Sequence, residues 1–221
     1  MNAASVPVAA AEKPLLRGVL HQYAFFVALA CAYALVRSSH TPAAMVASGV
    51  FGASLATLFA TSALYHRVAW GAEGRRLMRR LDHAAIFVLI AGGYTPLFTL
   101  VPSSKGDHVA LVVIWTGAAL GIVKSLVWAH APKWLTALLC VALGWVVIGQ
   151  VIDRKHVVGA LCISMLVASG ALYSVGAIVY ALRKPNPFPR VFGYHEVFHA
   201  FTIVASACLV AHALLVIRAV G

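Results

Sequence analysis

Acidic side chains are almost missing from this sequence. Six Asp and Glu stand among 221 residues, and charged residues of both signs make up only 10%. A soluble domain is about 25% charged, so a water-soluble fold of this composition would leave most of its surface apolar. That excludes an ordinary soluble enzyme. With 62% hydrophobic residues and a mean hydropathy of +0.91, lipid is the expected solvent. A membrane helix takes roughly 20 apolar residues, so the chain has room for seven and no separate soluble domain.

Other absences narrow the reading. The four cysteines, Cys31, Cys140, Cys162 and Cys208, each lie in a different apolar run, and none forms a CxxC pair. They read as small packing residues and not as disulfides. No internal repeat or long low-complexity tract is present. The last apolar run contains no Lys, which argues against a retinal Schiff base. Apolar runs four to six are nearly free of charge, which ranks a pore lowest. Residues 1–18 lack a short apolar core followed by a convincing cleavage site. They are expected to stay as a short cytoplasmic segment before a membrane domain over 19–221.

What charge there is has one sign. The chain carries 17 Lys and Arg and a net charge of +11. These residues cluster between apolar runs, a pattern that sets membrane orientation and attracts anionic lipid headgroups, not nucleic acid. The periodicity and the breaks predict an all-α bundle of seven transmembrane helices: Val19–Arg37, Pro42–His66, His83–Val101, His108–Ala129, Trp134–Ile152, Val157–Leu182 and His195–Ile217. Proline-rich stretches such as Lys184-Pro185-Asn186-Pro187 mark the loops. Twelve of the 17 basic residues, among them Arg75, Arg76, Arg79 and Arg80, fall on the side of the N-terminus. The expected topology is therefore N-terminus cytoplasmic and C-terminus extracytoplasmic, in a multi-pass cell-membrane protein, expected in a bacterial inner membrane.

Polar and ionisable groups inside a membrane are costly and are functional candidates by default. Five stand out: Ser62, His66, Asp82, His195 and His199. His66 ends the second predicted helix, Asp82 precedes the third, and His195 opens the seventh, so the topology brings all three to one depth. Ser62 and His66 are four apart and share a helix face, as do His195 and His199. Three imidazoles with one open position are a common catalytic zinc arrangement, although imidazole also suits copper, iron and nickel. His195-Glu196-Val197-Phe198-His199 fits HExxH, the zinc-protease pattern in which the Glu is the general base. Glu196, however, is turned about 100° from His195 and lies where a helix dipole already favours a carboxylate. Each residue also has a structural reading. Asp82 can cap the third helix, Ser62 can bond its own backbone, and His66 and His195 can be interfacial ends. His21, His40, His83, His108, His130, His156 and His212 are read as structural. Gly92-Gly93 and Pro96 are read as permitting close packing and a bend.

The segments Ser62-Ala-Leu-Tyr-His66, Arg80-Leu-Asp82-His-Ala-Ala-Ile86, Ala91-Gly-Gly-Tyr-Thr-Pro96 and His195-Glu-Val-Phe-His199 occur in the order found in the hemolysin III group, within the progestin and adiponectin receptor family. The chain resembles that group over essentially its whole length. The resemblance implies a seven-helix bundle with zinc held by His66, His195 and His199, and it matches the family's Asp and Ser to Asp82 and Ser62. Receptor members often carry Gln where this chain has Glu196. The family is related to alkaline ceramidases, so the expected activity is zinc-dependent hydrolysis of lipid amides or esters, with membrane lipid as substrate. The alternatives are a receptor or stress sensor with structural zinc and, third, a pore-forming haemolysin.

Overall fold

The computed structural model describes residues 13–101, 107–128 and 131–220. Most of the expected N-terminal segment and the expected loop over 102–106 lie outside these, as do Lys105 and His130. The described chain is helical: α1 (Val19–Arg37), α2 (Pro42–Arg67), α3 (Ala72–Leu100), α4 (Asp107–Val127), α5 (Lys133–Trp145), α6 (Ile148–Asp153), α7 (Lys155–Leu182) and α8 (Tyr194–Val220). Seven stretches are long and apolar enough to cross a membrane, with α5 and α6 together supplying one. The chain is thus an integral, multi-pass membrane protein.

Sequential helices pack as antiparallel neighbours. α3 lies at the centre, against α2 and α4 and also against α5 and α8, while α8 packs on α7, α1 and α3. Small residues allow the close approaches. A Cβ on Gly92 would come within 2.1 Å of Ser54 Oγ, so the α2–α3 contact needs glycine there. Gly93, its neighbour, is in ordinary contact with Leu209 and is not similarly constrained. Pro96 stands inside α3. Thr41 caps α2 through Ala44 N–H with Pro42 at the first helical position, the favoured start signal.

Two boundaries differ from expectation. α3 starts at Ala72 and not near His83. Arg75, Arg76, Arg79 and Arg80 are good helix formers, and no proline lies between Gly71 and Asp82, where Gly74 alone disfavours a helix. At 29 residues and 1.5 Å per residue, α3 exceeds a hydrocarbon layer of about 30 Å, so its basic first turns overhang the membrane. Asp82 therefore sits nearly three turns inside α3 and cannot be its N-cap, a place taken by Gly71. The fifth span is interrupted after Trp145, beside Gly144, whose carbonyl accepts a hydrogen bond from the Tyr94 hydroxyl.

Candidate metal centre

His66 lies in the last turn of α2. His195 and His199 lie in the first turns of α8. The helix ends that the topology places together bring the three rings into contact. His195 Nε2 and His66 Nε2 are 3.1 Å apart, and one ligand nitrogen from each of the three rings lies within 4.8 Å of the others. Two imidazole nitrogens on one tetrahedral zinc, at about 2.0–2.1 Å each, would be roughly 3.3 Å apart. The His66–His195 pair is close to that spacing already. His199 Nδ1 is buried with no hydrogen-bond partner. Such an orphan costs about as much as a lost hydrogen bond, and a cation would remove the cost. Donor type, spacing and the orphaned nitrogen all fit a zinc-type metal.

Ser62 is buried on α2, one turn before His66. Its side chain interacts with Asp82 across the α2–α3 interface. Both line a cavity that His195 and His199 also line. Asp82 is not part of the tight imidazole cluster, so it stands beside a metal position and does not complete it. The cavity encloses about 170 Å³, far more than the roughly 10–15 Å³ that one water needs. Away from the triad its wall is mostly apolar, with Leu58, Ile86, Leu89 and Ile90 among the lining side chains.

Glu196 is fully buried and turned away from the triad. One of its oxygens pairs with Arg17 Nε, and the other accepts the Gly193 N–H at 2.8 Å. Gly193 precedes the first residue of α8, so Glu196 forms the return half of a capping box. Its carboxylate is committed to closing the helix start, and the protease reading of HExxH falls.

Sequence reasoning missed His21. Read as a helix-end residue, it is buried to 2% exposure, lines the cavity and stacks on His199. Its position in the first turn of α1 was visible, but nothing in the sequence told which way α1 faces. His83 also lines the cavity. His212 stays structural: it meets Cys162, with Sγ 3.2 Å from Nδ1. All four cysteines are free thiols.

The comparison with known families decides the membership of a chain with this site. A family model described as haemolysin-III related matches residues 9–210. The chain belongs to the haemolysin-III family. It is 32% identical over 169 residues to Hemolysin-3 of Bacillus cereus, a match covering 76% of this chain and 74% of that protein. It is 33% identical over 167 residues to a Hemolysin-3 homolog of Bacillus subtilis, covering 75% and 74%. Haemolysin-III membership agrees with the four segments that carry the resemblance to progestin and adiponectin receptors.

Proposed function

We propose that this haemolysin-III protein is a zinc-dependent hydrolase of amide or ester bonds in membrane lipids, with His66, His195 and His199 holding the metal. The observation that carries the reading is the meeting of three imidazoles from two distant stretches of chain, two of which, His195 and His199, line a cavity together with the Asp82 carboxyl and the Ser62 hydroxyl. A zinc ion held there would supply Lewis acidity and make water a nucleophile near neutral pH. Asp82 takes the proton of the attacking water at a carboxylate oxygen and returns it to the leaving amine or alkoxide. Ser62, on the facing helix, orients Asp82 by its side-chain interaction. The apolar wall of the cavity takes the acyl chain and keeps bulk water out. The charge asymmetry of the loops supports a cytoplasmic location for this end of the bundle.

Elemental analysis of protein purified without chelators tests the metal. About one zinc per chain, lost in both His66→Ala and His199→Ala, is expected, and a metal-free wild type removes the reading. Hydrolysis is tested on ceramide-like, ester and other acyl lipids, beside an active lipid amidase as control. A zinc-loaded protein that cleaves none of them overturns the hydrolase.

One observation favours a second reading, a receptor or sensor with structural zinc. α2 and α8 touch only sparsely, and a shared metal would be the main tie between them. On that reading chelation lowers thermal stability while Asp82→Asn leaves function intact.

A further inference from the structure

A second, smaller pocket opens at the same end of the bundle as the triad. Arg79, Arg80 and His83 of α3 line it together with Lys124 and Ser125 of α4 and Trp128 just beyond. Among the described residues, no carboxylate lines it. The cationic side chains of Arg79, Arg80 and Lys124, from two helices, thus line one small space beside His83, a costly arrangement unless an anion shares it. Arg80 Nε is buried there with no hydrogen-bond partner, and Lys124 donates to Thr136 Oγ1, which leaves an ammonium group two further protons to give. His83 and Thr136 line both this pocket and the large apolar cavity. The two spaces therefore share a wall beside Asp82.

The depth of the pocket is marked independently. Trp70, Trp128 and Trp134, at the ends of α2 and α4 and the start of α5, are 36%, 53% and 60% exposed. Tryptophans at helix ends on one side of a bundle sit at headgroup level. Arginine forks match phosphate oxygens two at a time, and lysine adds a point charge.

We propose that Arg79, Arg80, His83 and Lys124 form a phosphate site at the mouth of the apolar cavity, which holds the phosphate headgroup of a lipid whose acyl chain enters the cavity. The site deepens the lipid-hydrolase reading by naming a phosphate-bearing lipid as the substrate class, and rests on that reading only for the step that follows binding.

The test uses the full chain in maltoside micelles, with tryptophan emission and thermal shift as readouts. The probes are short-chain phosphatidic acid, the diacylglycerol with the same chains, and inorganic phosphate. Saturable binding of phosphatidic acid is expected, at least tenfold tighter than the diacylglycerol. It should weaken about tenfold in Arg80→Gln and in Lys124→Gln, and less than twofold in Arg76→Gln, which removes an exposed charge outside the pocket. If Arg80→Gln does not fold, Lys124→Gln and Arg79→Gln carry the comparison. Equal weakening by Arg76→Gln means diffuse surface charge and overturns the site. So does equal binding of the diacylglycerol. Inorganic phosphate binding as tightly as the lipid, with the same variants weakened, keeps the phosphate chemistry and overturns the lipid source. Binding without hydrolysis sinks only the hydrolase, while hydrolysis of neutral lipids without phosphate binding sinks only this site.

Discussion

His21 lies flat against His199, with ring centroids 3.7 Å apart and planes 6° from parallel. A ring from the first helix thus fixes the orientation of a ring from the last, and both are buried. Aromatic stacking contributes about 0.5–1.5 kcal/mol beyond the area buried, which corresponds to a factor of about two to twelve in affinity. His21→Ala is expected to weaken zinc binding about three- to tenfold in a chelator competition, and His21→Phe to restore most of it. Unchanged affinity in the alanine variant would show that His199 is held without the stack.

Gly18 turns the chain into α1 with φ at 80°, and a Cβ there would meet His66 Cβ at 2.5 Å. The left-handed conformation alone costs another residue about 1–2 kcal/mol. Gly18→Ala should lower the thermal midpoint and the zinc content together. Gly49→Ala, where an added Cβ meets nothing within 4 Å, should be neutral or slightly stabilising, since alanine favours helix over glycine. Equal behaviour of the two variants would dissociate Gly18 from the metal centre.

The Arg17–Glu196 pair is asymmetric, with side-chain exposures of 21% and 1%. Removing the partly exposed arginine strands a buried carboxylate, at a cost of about 3 kcal/mol or more. Glu196→Gln keeps an acceptor for the Gly193 N–H and lets Arg17 turn toward water. Thermal unfolding in detergent should therefore show Arg17→Ala as the more damaging change, with zinc content and turnover retained in Glu196→Gln. A loss of turnover by several orders of magnitude in Glu196→Gln, with zinc retained, would restore it as a catalytic base.

Asp82 and Ser62 separate catalysis from bracing. General acid–base catalysis contributes about 10²–10⁴-fold, so Asp82→Asn should lose turnover on that scale while zinc stays bound. On the hydrolase reading, Ser62→Ala should lose about tenfold. An Asp82→Asn variant of full activity would point to the structural-zinc reading.

The spans were legible in the sequence because hydropathy and proline breaks fix them, and α1 fell where expected. His66, His195 and His199 were legible too, since four-residue spacing and an odd number of spans place them at one depth. The start of α3 was not. Its first turns are polar, and a reading guided by apolar runs begins a helix only where lipid does, so Asp82 passed for a cap. The break after Trp145 lies beside a carbonyl that Tyr94 reaches from α3, and the facing of His21 depends on how α1 rotates against α2 and α8. Both are tertiary facts with no local signal. Glu196 lay between: its position promised a helix-start role, but the pairing with Arg17 joins residues 179 apart in sequence.

The few residues just ahead of the first span are part of the fold. Leu15 and Leu16 donate backbone hydrogen bonds to the carbonyls of Arg190 and Val191, just before the helix that carries two of the imidazoles. Purification handles and fluorescent fusions therefore belong beyond Val220, at the opposite face. Trimming the protein back to Val19 would loosen the very nitrogens that such preparations set out to study.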